Sequence, residues 1–175
     1  MNRAVFLDRD GVIIRTDLLD GKPYAITRYE DLDILDGAPH AIDRLKDAGF
    51  KIIVVSNQPD VARGTVTRDV VEAINAELMG KLSLDEIKVC YDSTAPCYKP
   101  KPGMLLEAAG AHDINLDRSY MVGDRWRDIG AGKAAGCTTI FLVEVYSEQA
   151  PENPDHVAGS VAEAADLILS NSEQA

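Results

Sequence analysis

The chain has 175 residues, of which 46% are hydrophobic and 27% charged, proportions that fit one globular domain and exclude a disordered chain. The formal net charge is −11, from 29 acidic and 18 basic residues, which argues against binding to nucleic acid or to anionic membranes. No apolar stretch approaches the roughly 20 residues that cross a bilayer. The first eight residues reach a charge too early for a signal peptide, so we expect a cytoplasmic protein.

Short apolar runs alternate with helical patterns along the chain. This alternation predicts an α/β fold, in which helices cover both faces of a central parallel sheet. The predicted strands are Ala4–Leu7, Ile52–Val55, Ile87–Cys90, Tyr120–Val122 and Thr139–Val143. Helical spacing is found over Ala38–Ala48, Val70–Leu78, Met104–Ala109 and Ile129–Ala135, and Val161–Leu169 predicts a short helix or strand.

The chain shows no internal repeat and no linker, so residues 1–175 are expected to form a single domain whose last residues, 170–175, are frayed. The longest irregular stretch runs from about Arg15 to Gly37. A connection of that length is more often functional than idle. It is nevertheless too short for a large cap domain.

Polar residues cluster where the predicted strands end. In open α/β sheets ligands bind at the carboxyl ends of the strands, so these side chains should share one crevice. They are Asp8 and Asp10 after the first strand, Ser56 and Asn57 after the second, Lys99 after the third, and Asp124 and Asp128 after the fourth.

These residue types suit phosphoryl transfer. A carboxylate, Asp8, is placed to attack phosphorus and form an aspartyl-phosphate, which divides one difficult step into two. Asp10, two residues further on, is placed to protonate the departing alkoxide and later to deprotonate water. Gly11 permits the tight turn that follows.

Anionic carboxylates that meet an anionic phosphate need a cation, and Mg²⁺ is the expected one because it prefers oxygen ligands. The expected ligands are Asp8, the backbone carbonyl of Asp10, and Asp124, with Asp128 as a further ligand or as a partner of the ligands. Ser56 is expected to donate a hydrogen bond to a phosphoryl oxygen. Lys99 is expected to supply positive charge there.

The order and placement of four segments resemble the motifs of the haloacid dehalogenase superfamily. The segments are FLDRDGV at 6–12, VSNQ at 55–58, KPKPGM at 99–104 and VGDRWRD at 122–128. The resemblance implies a Rossmann-like three-layer α/β/α sandwich, identifies Lys99 rather than Lys101 as the motif lysine, and favours a phosphatase because Asp10 is present. The motif sequences are most similar to those of a small group without a cap domain, whose members use Mg²⁺ and act on phosphorylated sugars or alcohols.

One region departs from that group, whose members carry a zinc loop of cysteines and a histidine. Here Cys90 and Cys97 match its first and last ligands, but Asp92 replaces the histidine, so structural zinc is not expected. With three cysteines in a cytosolic chain, free thiols are expected rather than disulfides. Tyr98 replaces the arginine that grips the sugar phosphate in the resembled group.

The resemblance places Asn57 and Tyr98 at the substrate. Arg63 and Arg125 are candidates for contact with a second phosphate or a carboxylate, and exposed salt bridges are an equal alternative. One interpretation of the long irregular stretch is a wall of the substrate pocket built from Tyr24, Arg28 and Tyr29. The other interpretation, which is favoured, is simple packing of that stretch. For Trp126 packing is also favoured over stacking on a ligand.

Three functional interpretations follow. The favoured one is a phosphatase for a small phosphorylated sugar resembling D-glycero-D-manno-heptose 1,7-bisphosphate. The second is a phosphatase for histidinol phosphate or another small metabolite, and the third is a catalytically silent binding protein on the same scaffold. The expected partner is a small phosphorylated metabolite rather than nucleic acid or membrane, and the expected state is a monomer or weak homodimer.

Overall fold

A parallel sheet lies at the centre of the molecule. The computed structural model describes residues 1–144 and 146–172. Within them the strands are β1 Arg3–Leu7, β2 Asp17–Leu19, β3 Lys22–Tyr24, β4 Phe50–Asn57, β5 Glu86–Cys90, β6 Tyr120–Gly123, β7 Thr138–Leu142 and β8 His156–Ala158. Six of these form one sheet in the order β5-β4-β1-β6-β7-β8, and β2 and β3 pair as a separate antiparallel hairpin.

Each of the central strands β1 and β4 contains a continuous apolar run, because helices cover both faces of the sheet there. All four residues of Ala4–Leu7 are 0% exposed, as are those of Ile52–Val55. Val5 pairs with Ile52 on one side and with Tyr120 on the other, both in parallel register. This register brings the carboxyl ends of β4, β1 and β6 to the same edge of the sheet.

The helices follow the strands in alternation. They are α1 Ala38–Asp47, α2 Asp60–Arg63, α3 Arg68–Lys81, α4 Gly103–His112, α5 Trp126–Ala135 and α6 Val161–Ser172, with 3₁₀ turns at Tyr29–Asp31 and Leu116–Arg118. Thr67 caps α3 as its sequence position suggests, since its side chain accepts a hydrogen bond from the backbone N–H of Val70. None of the described helices is long and apolar enough to cross a membrane.

Two hydrophobic clusters lie on opposite faces of the sheet. Val5 and Leu7 belong to the cluster that α1, α3 and α6 cover, whereas Ala4 and Phe6 belong to the one covered by α4 and α5. The alternation along β1 follows from the two-residue period of a strand. The predicted α/β sandwich with a central parallel sheet is therefore confirmed.

Two expectations about irregular segments need correction. The stretch 15–37 contains the β2–β3 hairpin, whose strands are short and mostly exposed and so carry no apolar alternation. Residues 170–172 are not frayed but end α6, which Ile168 anchors in the core, and Ser172 Oγ donates a 2.7 Å hydrogen bond to the Ile168 carbonyl. Residues 173–175 lie outside the described part of the chain.

Candidate active site

The loops after β1, β4 and β6 bring the predicted site residues to one edge of the sheet. Lys99 is the residue that joins them, because its Nζ donates to Asp8 Oδ1 at 2.9 Å, to Asp128 Oδ1 at 2.7 Å and to the Val55 carbonyl at 2.7 Å. All three ammonium protons therefore have partners. The side chain is 2% exposed.

Burial disfavours the Lys99 ammonium, but the carboxylates of Asp128 and Asp8 outweigh it, and the pKa of Lys99 is raised above its ordinary value. Lys99 is thus a fixed positive charge in the interior. A fixed charge of this kind can stabilise an anionic ligand without reorganisation.

Three buried carboxylates surround this charge. Asp8, Asp124 and Asp128 each offer an oxygen within 4.8 Å of the others. Burial, and then the charge of Asp128, raise the pKa of Asp8. Burial, and then the charges of Asp8 and Asp128, raise the pKa of Asp124 well above its usual range. One ammonium does not balance three such groups when all are ionised, so the ionised cluster needs a further cation.

The cluster fits a hard divalent cation. Among the described residues, Asp124 Oδ1 is the buried side-chain oxygen that has no hydrogen-bond partner. Its other oxygen, Oδ2, accepts a 2.6 Å hydrogen bond from the hydroxyl of Tyr146. Burial and the Asp124 charge raise the pKa of Tyr146, which keeps the phenol protonated as a donor. An all-oxygen donor set with excess negative charge is the type that Mg²⁺ prefers.

Two glycines make this close approach possible. A Cβ on Gly11, whose φ is +85°, would lie 2.0 Å from Asp124 Oδ2. A Cβ on Gly123 would lie 2.2 Å from the Cβ of Asp128. The turn after β1 and the end of β6 can therefore pack against the carboxylates only if both positions lack side chains.

Asp10 lies beside this cluster and is held by a separate set of donors. Its Oδ2 accepts from Gln58 Nε2 at 2.8 Å and from Arg9 Nε at 3.1 Å, and its Oδ1 accepts from Arg9 Nη2 at 3.2 Å. Arg9 is fully buried, and its Nη1 donates to Asn75 Oδ1 at 2.9 Å. The Asp10 side chain is 14% exposed, which leaves the carboxylate oriented but accessible.

A cavity of about 230 Å³ opens over these groups. Eight of the residues predicted for the site line it: Asp8, Asp10, Asn57, Arg63, Tyr98, Lys99, Arg125 and Asp128. Ser56 is not among the lining residues. It is fully buried, and its Oγ accepts a 2.9 Å hydrogen bond from Gln58 Nε2, so the hydroxyl keeps its own proton to donate.

The residues predicted to contact the substrate already form hydrogen bonds or ion pairs within the protein, and these differ from residue to residue. Both amide atoms of Asn57 bond to the backbone of Lys99, at 3.1 Å each, so Asn57 fixes the lysine in place. Arg63 is mostly exposed and pairs with Asp60 at 3.0 Å. Arg125 Nε donates to Glu148 Oε2 at 2.9 Å, and its Nη2 donates to Oε1 of the same carboxylate.

The aromatic and basic residues near the hairpin separate into two groups. Tyr24 lines the cavity, whereas Arg28 pairs with Asp31 at 2.8 Å, and neither Arg28 nor Tyr29 lines it. Trp126 packs under the guanidinium of Arg127, whose Cζ lies 4.6 Å from the ring centroid.

Several residues of the site were not predicted. Arg9 and Gln58 lie within the motifs described above. An arginine between two aspartates is a signal that could have identified Arg9 as a site residue. Tyr146 and Glu148 follow β7 in a segment without a motif. Only the three-dimensional structure brings Tyr146 to Asp124 and Glu148 to the cavity.

The expectation of free thiols at Cys90 and Cys97 is wrong. The two form a disulfide with Cα atoms 5.6 Å apart, and Cys137 is the remaining, buried thiol. The expectation rested on an odd cysteine count, which carries no information on distance. The loop after β5 turns back on itself, and Pro96 packs so closely on Gly103 that a Cβ there would lie 2.4 Å from the Pro96 carbonyl oxygen.

Comparisons with known proteins agree with this geometry. A family model for haloacid dehalogenase-like hydrolases matches residues 16–136. The chain is 34% identical to the D-glycero-D-manno-heptose-1,7-bisphosphate 7-phosphatase of Thermosynechococcus vestitus, over 96% of each chain. It is 32% identical to the D-glycero-beta-D-manno-heptose-1,7-bisphosphate 7-phosphatase of Pasteurella multocida, over 96% of this chain and 97% of the relative.

The crystal structure of D,D-heptose 1,7-bisphosphate phosphatase from B. bronchiseptica, complexed with magnesium and phosphate, superposes with a TM-score of 0.80. It is 27% identical in sequence, and the match covers 97% of this chain and 99% of that one. Motifs, fold and relatives thus agree, and the chain belongs to the haloacid dehalogenase-like hydrolase family.

Proposed function

We propose that this chain is a magnesium-dependent phosphatase that hydrolyses a small phosphorylated sugar of the D-glycero-D-manno-heptose 1,7-bisphosphate type. The observation that carries the proposal is the buried cluster of Asp8, Lys99, Asp124 and Asp128 beneath a small cavity. The activity of the relatives supports the substrate class. The magnesium and phosphate bound by a solved relative support the cofactor.

In the first step an oxygen of the Asp8 carboxylate attacks phosphorus, and the bond from phosphorus to the sugar oxygen breaks. Asp10 gives its proton to that departing oxygen. Arg9 and Gln58 hold Asp10 in place for this transfer, since they bind both of its oxygens. The products are the free sugar hydroxyl and a phosphoaspartate on Asp8.

In the second step Asp10 removes a proton from water, and the resulting oxygen attacks the phosphorus of the phosphoaspartate. The bond between phosphorus and the Asp8 oxygen breaks, phosphate leaves and both aspartates return to their starting forms. In both steps the Lys99 ammonium and the Ser56 hydroxyl stabilise the charge on the phosphoryl oxygens. Mg²⁺ held by Asp8, Asp124, the Asp10 carbonyl and, directly or through its neighbours, Asp128 would neutralise part of the charge that these groups share with the substrate.

A second candidate substrate is histidinol phosphate, which carries an ammonium group. Asp60 and Glu148 line the cavity, but each is already paired with an arginine, so this candidate has less support than the sugar phosphate. A catalytically silent binding protein is the third candidate. It would need no proton donor, and the hydrogen bonds that orient Asp10 disfavour it.

The test is turnover of heptose 1,7-bisphosphate, histidinol phosphate and an aryl phosphate, each with Mg²⁺ and with EDTA. We expect Mg²⁺-dependent release of phosphate, fastest from the heptose. Asp8→Asn should abolish release, whereas Asp69→Asn, at an exposed aspartate of α3, should preserve it. Undiminished turnover by Asp8→Asn would refute the mechanism, and equal, feeble turnover of both metabolites would reject both as substrates.

We further propose that the chain acts in the cytoplasm as a single domain, as a monomer or weak homodimer, and binds neither nucleic acid nor membranes. The charge of −11 supports the last two points. Gel filtration at several concentrations would test the oligomeric state.

A further inference from the structure

The segment that follows β7 places a carboxylate on the arginines of the cavity. Glu148 accepts two hydrogen bonds from Arg125, in the fork-to-fork arrangement that arginine forms with carboxylates and phosphates. Its Oε1 also lies 3.9 Å from Arg127 Nη1. All three side chains line the cavity that contains Asp8. Glu148 is therefore the internal counter-ion of a two-arginine cluster at the site.

This ion pair matters for anion binding because most other positive charges of the cavity already have partners. Lys99 is already held by Asp8 and Asp128, and Arg63 pairs with Asp60. Lys22 of the hairpin also lines the cavity, but it is a single charge. Among residues 1–144 and 146–172, Arg125 and Arg127 are the two cations of the cavity wall that lie together on one carboxylate. An anionic group of a ligand in this cavity would bind there most strongly if Glu148 were neutral.

The pair is open to the cavity. The side chains of Arg125 and Glu148 are 31% and 18% exposed and both line the cavity, so a ligand there can reach both partners. Glu148 lies outside the helices and strands. A phosphate group makes the same two hydrogen bonds to a guanidinium as a carboxylate and carries more charge, so it can replace Glu148.

We propose that Glu148 is a specificity-determining residue of this site: it occupies the guanidinium of Arg125, and a second anionic group of the substrate must displace it. This inference rests on the proposed phosphatase function. A substrate with a second phosphate competes with Glu148 for Arg125 and Arg127, whereas one with a hydroxyl group there leaves the pair intact. Glu148 thereby sets the preference between doubly and singly phosphorylated sugars.

The test compares heptose 1,7-bisphosphate with heptose 7-phosphate, which differ only in the distal phosphate. In Glu148→Gln the ratio of their kcat/KM values should shift towards the bisphosphate by about fivefold, the factor that corresponds to a solvent-contacting ion pair at the upper end of its range. The change should appear in the KM of the bisphosphate. Glu152→Gln removes an exposed carboxylate from the same segment and should leave the ratio at its wild-type value.

A double variant separates a specific contact from a general change in charge. In an Arg125→Gln background, Glu148→Gln should shift the ratio much less, because only the 3.9 Å contact with Arg127 is left. An unchanged ratio in the single variant, or an equal shift in the Arg125→Gln background, would overturn the inference. If the wild-type protein hydrolyses neither heptose nor an aryl phosphate, the proposed function fails instead, and the two failures are thus distinguishable.

Discussion

Replacing Lys99 by methionine removes the ammonium that separates two buried carboxylates. Methionine has a similar length, so the change deletes the charge and three hydrogen bonds without opening a large cavity. Asp8 and Asp128 then face each other without a cation between them, and the Val55 carbonyl loses a partner. Removal of one partner from a buried ion pair typically costs about 3–5 kcal/mol of unfolding free energy.

Lys101 is a matched control because it belongs to the same short motif. Its Nζ donates to the carbonyls of Thr94 and Ala95, at 2.7 and 3.2 Å, and its side chain is exposed. Lys101→Met should therefore cost about 1 kcal/mol or less. The same comparison tests the assignment of Lys99 as the motif lysine, since only Lys99→Met should abolish phosphatase activity.

Urea unfolding monitored by circular dichroism, with EDTA present, measures both losses. Added Mg²⁺ should raise the unfolding midpoint of Lys99→Met more than that of the wild type, because a bound cation restores positive charge among the carboxylates. Equal losses of stability in the two methionine variants would refute the reasoning, and so would full activity of Lys99→Met.

Three further predictions concern other parts of the molecule. Gly11→Ala and Gly64→Ala both place an alanine at positive φ, but only the former meets Asp124. Gly64→Ala should therefore lose about 1 kcal/mol of stability, whereas Gly11→Ala should lose more and should also lose most of its kcat. Burial alone would raise the pKa of Asp85, but hydrogen bonds from two lysines and a backbone N–H lower it. Its stabilisation is therefore present above the unfolded pKa of about 3.9 and is lost as pH falls through the folded pKa. Asp85→Asn should cost about 1 kcal/mol at pH 7 and progressively less as the pH falls below the unfolded pKa, as urea unfolding would show. Because burial raises the pKa of Cys137 to about 12, a thiol reagent should find no reactive thiol in the native protein, one after unfolding without reductant and three after reduction.

The sequence predicts those parts of the fold that a strong local pattern determines. β1 and β4 contain the continuous apolar runs Ala4–Leu7 and Ile52–Val55, which are buried on both faces. The first helix shows a clear 3.6-residue period with buried Ala41, Ile42 and Leu45. β8 has only three residues at the edge of the sheet, and one of them, Val157, is 54% exposed. A strand of this kind is stabilised by pairing with β7 rather than by its own pattern, so it was not predicted.

The site divides in the same way. The catalytic candidates follow strands that the sequence locates, and the α/β sheet determines that strand ends meet, so their proximity could be predicted. The contacts that these candidates make with other residues could not be predicted. The pairing of Arg125 with Glu148, the hydrogen bond from Tyr146 to Asp124 and the disulfide depend on how loops far from each other in sequence fold back, and no local pattern encodes those distances.

Two such loops form part of the cavity wall, and we expect them to affect substrate specificity. The hairpin contributes Lys22 and Tyr24 to the wall, and the segment after β7 contributes Glu148. The two are joined where the backbone N–H of Ser147 donates a 2.7 Å hydrogen bond to the carbonyl of Gly21, at a contact so close that a Cβ on Gly21 would lie 2.5 Å from Ser147 Oγ. Apart from Tyr146, which holds Asp124, these segments carry no residue of the proposed chemistry. Substitutions in them should therefore change which phosphate monoester is hydrolysed, whereas substitutions at the strand ends should change whether any is.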